Sequence, residues 1–340
     1  MGQTISSTQF FLYGKKHFTQ NGYLKHIKKY AEPVQVTSNI GINEEAADGV
    51  NLTGKVVVVT GANSGLGKEV ATYSAAKGAK LYMLCRSKDR AEAARDEIME
   101  KTGNKDIEIV LVDVAELSKV RDAANTLKSK EPKIHAIVCN AGVLLNDRRE
   151  SSEGNELTLA SHLIGGSYLL SKLLMDQVKA ADGQGRIIMV TSGGMYNYKF
   201  PAWNVAANTG DQKEKYNGVN LYAYAKRGQV LLAERWSKEY PDVTFCTVHP
   251  GWADTPAVEE AFGDSKKYLK PLREPWQGAE GVTWLVGTDR SNLESGDLYL
   301  DRKSQPKHLA GPFFSEGSFT KNSPEEVDEM MENLKKVAGI

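Results

Sequence analysis

The chain is poor in cysteine, has no excess of charge of either sign and has no long apolar run. Three cysteines stand in 340 residues, Cys85, Cys139 and Cys246, far apart and each inside an apolar segment. That odd, dispersed set argues against a disulfide scaffold and against a thiolate metal site. It reads as buried, reduced thiols in a cytoplasmic compartment. Lys plus Arg and Asp plus Glu both total 43, so the formal net charge is zero and a generally basic nucleic-acid binder is excluded. A bilayer span needs about 18 or more consecutive apolar residues, and none occur. The start of the chain is too polar for a secretory signal, and Phe10-Phe11-Leu12-Tyr13 is too short to be its apolar region. No His, Cys, Asp and Glu set has metal-ligand spacing, so no metal is expected.

What is present begins at the N-terminus. Met1-Gly2-Gln3-Thr4-Ile5-Ser6 fits the N-myristoylation pattern, with Gly2 as acceptor and Ser6 at the required offset. Lys15, Lys16, Lys25, Lys28 and Lys29 follow, with no acidic residue before Glu32 and with aromatic and aliphatic residues interleaved. One acyl chain binds a bilayer only marginally, and a polybasic patch is the usual second signal. Two expectations stand side by side. The arm makes peripheral contact with the cytosolic face of a membrane, or it is a helical extension packed on the next domain with its lysines in water.

Residues 1–50 read as this arm and a polar linker, 51–305 as the main domain, and 306–340 as a C-terminal extension. Short apolar, β-branched runs at 55–60, 80–85, 107–112, 134–139, 186–191, 243–248 and 296–300 read as about seven strands. Helical patterns at 65–77, 89–101, 156–180, 221–239 and 276–286 alternate with them. The alternation predicts an α/β fold, Rossmann-like, with a doubly wound parallel sheet. Ser323-Pro324-Glu325-Glu326 is a capping box for a final helix.

Directly after the first strand stands Thr60-Gly61-Ala62-Asn63-Ser64-Gly65-Leu66-Gly67. Glycine lets a backbone turn sharply and approach a pyrophosphate, and the helix that follows offers unpaired N–H donors at its positive end. Between a strand and a helix, in the first unit of an α/β domain, this loop points to a dinucleotide.

Four further segments join it in order: Cys139-Asn140-Ala141-Gly142, Ser192 at the end of the fifth strand, Tyr222-Ala223-Tyr224-Ala225-Lys226, and Pro250-Gly251-Trp252-Ala253-Asp254-Thr255. In this set and order the sequence resembles the short-chain dehydrogenase/reductase (SDR) family. The resemblance implies a nicotinamide cofactor held by Gly61, Asn63, Ser64, Gly65, Leu66, Gly67, Asn140, Ala141, Gly142, Pro250, Gly251 and Thr255. It implies that Asp113 and Val114 contact the adenine, that Lys226 also holds the nicotinamide ribose, and that Ser192 hydrogen-bonds the substrate oxygen. It also suggests homodimers paired through 156–180 and 221–239.

The Tyr–Lys spacing has its own chemistry. Hydride transfer to a carbonyl leaves an alkoxide that needs a proton, and a phenol serves only if its pKa falls from about 10. Tyr222 and Lys226 are four apart on a helix and share a face. An ammonium near the phenolate would favour ionisation by roughly 3–4 kcal/mol before desolvation opposes it. Tyr222 is therefore the expected general acid/base. One position departs from the family: His162 stands where an Asn usually helps hold a water in a proton relay. Histidine can relay protons near neutral pH, but the change could also slow or remove the proton path, or the ring could be a packed or capped helix histidine.

The second strand ends in Leu84-Cys85-Arg86-Ser87, with no acidic residue to repel a 2′-phosphate. Arg86 and Ser87 can pair with that phosphate, so NADPH is expected over NADH. The stretch after Ser192 holds Met195, Tyr196, Tyr198, Phe200, Pro201 and Trp203, and the one after Trp252 holds Ala257, Val258, Phe262, Tyr268 and Leu269. Aromatic loops beyond strand carboxyl ends suggest an apolar carbonyl or alcohol as substrate. The resulting expectation is an NADP(H)-dependent oxidoreductase. The alternative is a cofactor-binding regulatory or scaffold protein with little turnover.

Overall fold

Strand β1, Val56–Thr60, has all five residues buried. Its side chains alternate between two cores: Val56 and Val58 enter one, Val57 and Val59 the other. A strand covered by helices on both faces has no polar face to show, which is why its sequence is a continuous apolar run. The structure, a computed structural model, describes residues 2–30, 49–255, 258–259, 263–309 and 319–340, with side chains from residue 8 onward. Ala257, Phe262 and nearly all of the 35–49 linker lie outside the described residues.

The remaining strands are β2 Lys80–Cys85, β3 Ile107–Leu111, β4 Ala136–Cys139, β5 Arg186–Val190, β6 Thr244–Val248, β7 Leu298–Leu300 and β8 Lys303–Gln305. They form one sheet in the order β3-β2-β1-β4-β5-β6-β7-β8. All neighbours are parallel except β7 and β8. After β3 the chain crosses to the other side of β1 and lays down β4. The crevice above the β1–β4 switch point is where an open α/β sheet takes its ligand.

Three elements differ from the sequence reading. The first is an eighth strand, β8. The second is a helix at Leu117–Lys130, whose buried Leu117, Val120, Ala123, Ala124 and Leu127 follow a 3.6-residue period between charged neighbours. The third is the stretch expected as one long helix over 156–180. It is broken into Leu157–Leu159, a π-helix over Ala160–Leu169, Leu170–Leu173 and Met175–Lys179.

The N-terminal arm is helical: α1 Gly2–His17 and α2 Gln20–His26. It packs on the main domain through a third core that joins Phe18 to Met195, Tyr196, Leu298 and Leu300. Lys15, Lys16, Lys25, Lys28 and Lys29 are all exposed. At the other end the capping box forms, with Ser323 Oγ accepting from the Glu326 N–H and the Glu326 carboxylate accepting from the Ser323 N–H. The helix that follows, Pro324–Ala338, buries Met330, Leu334 and Ala338 in the first core.

Candidate active site

β1 runs straight into the glycine loop. Gly61 and Gly65 have φ of +66° and +52°, a backbone that favours glycine. A Cβ at Gly67 would lie 2.3 Å from the Gly61 carbonyl oxygen, so only hydrogen fits there. The loop opens helix α3, Gly65–Ala76, which has no acidic residue in its first turn and no side-chain cap from Ser64. Its leading N–H groups are thus left for an anion. Thr60 locks this loop to the next strand: its Oγ1 accepts from the Asn140 and Ala141 N–H groups, each at 2.9 Å. Asn140 Nδ2 donates back to the Thr60 carbonyl at 3.0 Å.

A cavity of about 610 Å³ extends from this loop across the switch point. Gly61, Asn63, Ser64, Gly65, Leu66, Arg86, Asp113, Val114, Asn140, Ala141 and Gly142 line it, as do Ser192, Tyr222, Lys226, Pro250, Gly251, Thr255 and His162. Gly67 and Ser87 do not reach its wall; Gly67 packs beneath the loop, and Ser87 stands at the N-cap position of the helix Lys88–Thr102 without a side-chain cap bond. Arg90, four residues beyond Arg86, lines the same end and was not singled out from the sequence. Arg86 is half exposed, with its guanidinium 4.0 Å from Asp113. A β2 end without acid, a glycine loop whose Gly67 admits no Cβ and a pair of arginines fit a nicotinamide dinucleotide.

At the other end, the helix Gly218–Glu239 carries both Tyr222 and Lys226. Lys226 is buried; its Nζ donates to the Val190 carbonyl at 2.6 Å and lies 5.4 Å from the Tyr222 ring centre. Burial pushes Lys226 down to about 7. Burial also raises Tyr222, with a hydrogen bond from Ser192 opposing. This corrects the electrostatic expectation. Loss of water, not the ammonium, is the larger effect on the phenol, because the ammonium is turned to a backbone carbonyl.

His162 sits in the π-helix, beside Tyr222. The two rings meet edge to face at 5.2 Å. Its Nε2–H donates to the Val143 carbonyl at 2.9 Å, and its Nδ1 is buried with no partner. Burial, then the nearby Lys226, holds its pKa well below the ordinary value, so the ring is neutral and Nδ1 is an acceptor. A Cβ at Gly142 would collide with this ring at 1.7 Å, so the glycine is what admits it. Ser167 and Gln229, neither singled out from the sequence, donate to the His162 carbonyl at 2.6 and 3.2 Å. They stitch the wider turn, and π-helical turns gather at functional sites.

The apolar end also departs from expectation. Met195, Tyr196 and Phe200 are core residues, and of that stretch Tyr198 alone of the expected aromatics reaches the cavity. Val258, Leu269, Trp252 and Val219 line it, whereas Tyr268 is exposed. Phe10 and Phe11 of the arm line it too. The cysteines are inert: burial raises Cys85 and Cys139 to about 11 and Cys246 to about 12. Among the described residues no His, Cys, Asp and Glu group could hold a metal, and no helix is long and apolar enough to cross a membrane.

A doubly wound sheet with a phosphate loop at its switch point and a Ser–Tyr–Lys group across the crevice defines a dinucleotide-dependent oxidoreductase class. A model of the short chain dehydrogenase family matches residues 55–266, and the chain belongs to that family. It is 32% identical to human dehydrogenase/reductase SDR family member 12, over 98% of this chain and 97% of the human protein. It is 33% identical to mouse retinol dehydrogenase 11, over 74% of this chain and 79% of the mouse protein. Among solved structures, a short chain dehydrogenase from Shigella flexneri complexed with NADP superposes with a TM-score of 0.59 at 20% identity, covering 74% of this chain and 98% of that one.

Proposed function

We propose that this chain is an NADP(H)-dependent oxidoreductase that interconverts an apolar carbonyl and its alcohol, with Tyr222 as general acid/base. One observation carries the reading: Ser192, Tyr222 and Lys226 line the same cavity as the glycine loop, Arg86 and Arg90. The nicotinamide, when bound, supplies or accepts the hydride. Tyr222 gives or takes the proton at its hydroxyl, and Ser192 orients the substrate oxygen. Burial keeps Tyr222 in its protonated form here, and its service as general acid/base needs the Lys226 ammonium to turn from the Val190 carbonyl toward the phenol and lower it. His162 serves the relay as a neutral acceptor through Nδ1.

The NADP bound in the Shigella flexneri structure supports a phosphorylated cofactor, as do the two arginines. Relatives named for retinol support an apolar substrate. Exposed Leu12, beside exposed Lys15 and Lys16, supports peripheral contact of the arm with a membrane, with Gly2 as a myristoylation site. Pairing through the two long helices is not supported, because the C-terminal helix packs there.

The test is NADPH oxidation with a panel of apolar aldehydes and ketones. Turnover is expected, and Tyr222→Phe is expected to lower kcat by about 10²–10⁴-fold while NADPH still binds. Arg86→Ala is expected to weaken NADPH by about tenfold or more and to leave NADH unaffected. Saturable NADPH binding without oxidation across the panel would favour the scaffold alternative.

A further inference from the structure

The arm does more than decorate the domain. Phe18 is buried, its ring centre 4.2 Å from that of His249 and 5.8 Å from that of Trp252. Phe10 and Phe11 lie 6.3 and 6.2 Å from the Trp252 ring. Two glycines permit this approach. A Cβ at Gly14 would stand 2.4 Å from the Trp252 ring, and one at Gly193, next to Ser192, would stand 2.8 Å from the Phe10 ring. The arm therefore closes directly over the residue after the proposed substrate-orienting serine.

The arm is also fastened. Buried Arg273 makes a two-pronged pair with Asp301 at 2.5 and 2.8 Å. The same guanidinium donates to the Phe18 and His17 carbonyls, each at 2.9 Å, where α1 ends. His26 Nδ1 reaches Asp301 at 2.6 Å from α2. The Trp252 N–H donates to the Phe18 carbonyl at 2.8 Å, which ties the arm to the ring it packs on.

We propose that α1 is the outer wall of the substrate cavity, and that Phe10 and Phe11, backed by Trp252, select carbonyl compounds with a long apolar body. The inference rests on the reading of this cavity as a carbonyl site. A substrate end built from the main domain alone would be open to water on this side. With α1 in place, a chain or ring system leaving the Tyr222 hydroxyl runs along the wall that Trp252 and the two phenylalanines form together. An extended apolar body gains contact there and a short one does not.

The experiment compares decanal with propanal as substrates of the full-length protein, NADPH being saturating. In Phe10→Ala and Phe11→Ala the decanal-to-propanal ratio of kcat/KM is expected to fall by at least about tenfold, and Phe11→Leu to recover most of it. NADPH affinity checks that the variants are folded. A ratio unchanged within about twofold in both alanine variants overturns the proposal and leaves the oxidoreductase reading standing. If the unaltered protein turns over neither aldehyde, Trp252 emission decides, with Trp252→Phe as the blank. A saturable response to decanal that the alanine variants lose upholds the wall without the chemistry, and no response in the unaltered protein overturns it.

Discussion

His162 is buried at the site and His249 under the arm against Phe18, both unprotonated, and that has a price in acid. Burial is the largest cause at both; it lowers His249 to about 3 and His162 well below its ordinary value. Above pH about 6.5 both are neutral in the folded and unfolded states alike. Below it the unfolded chain takes up protons that the folded chain refuses, so stability is lost as pH falls toward the folded pKa. Each should contribute a slope approaching about 1.4 kcal/mol per pH unit. Equilibrium unfolding between about pH 6.5 and pH 4.5 should show this loss, and His249→Gln should remove about half of the part the two share. A slope identical in the variant would mean that this ring is not held neutral. Tyr222, Lys226, Ser192 and the glycine loop were legible because their spacing carries their chemistry. The protonation of Tyr222 and Lys226 was not, since the sequence cannot show which carbonyl an ammonium meets or how dry it is.

At the scale of elements, strands β1 to β7 were legible from their buried runs, and most of the helices that cover them from their periods, the helix at Leu117–Lys130 excepted. The π-helix was not. A ten-residue wide turn needs Gly165 and Gly166, where a Cβ would stand 1.9 Å from the Val114 oxygen and 2.0 Å from the Ser161 oxygen, and such clashes exist only in three dimensions. The β7–β8 hairpin is similar: its turn residues Asp301 and Arg302 have φ of +51° and +60° without being glycine. Turns of this kind ordinarily take Asn-Gly, so the left-handed backbone must be held by something else. Arg273 holds Asp301, and Glu280 holds Arg302 at 2.5 Å. Removing one partner from a buried ion pair leaves the other uncompensated, which costs about 3–5 kcal/mol. Arg273→Met should therefore lower the unfolding free energy by that order. It should also speed proteolysis within the arm in the native state. Asp301→Asn in the same chain should recover part of the loss, and a double variant as unstable as the sum of the two singles would show that the pair is not coupled.

For the molecule as a whole, the two long helices that the family resemblance assigns to dimer pairing are packed against the C-terminal helix Pro324–Ala338. Met330, Leu334 and Ala338 are buried in the core that also holds Leu163, Tyr168, Leu169, Leu232 and Trp236 of those two helices. Arg235 and Asp328 join the two layers at 2.7 Å, and Arg121 donates to the Ala338 carbonyl. A second copy would have to displace a helix that is capped, paired and apolar on its inner face. Displacing it gains the partner's surface only after losing a similar apolar area already buried within the chain. The full chain is therefore expected to be a monomer in sedimentation equilibrium at micromolar concentration. A chain ending before Ser323 uncovers the apolar face and is expected to self-associate or to lose solubility. A concentration-independent dimer of the full chain would show that pairing uses another surface or that the C-terminal helix moves aside. Cross-linking between Asp328 and Arg235 positions replaced by cysteine would then separate the two, since a disulfide that forms without loss of the dimer leaves the helix in place.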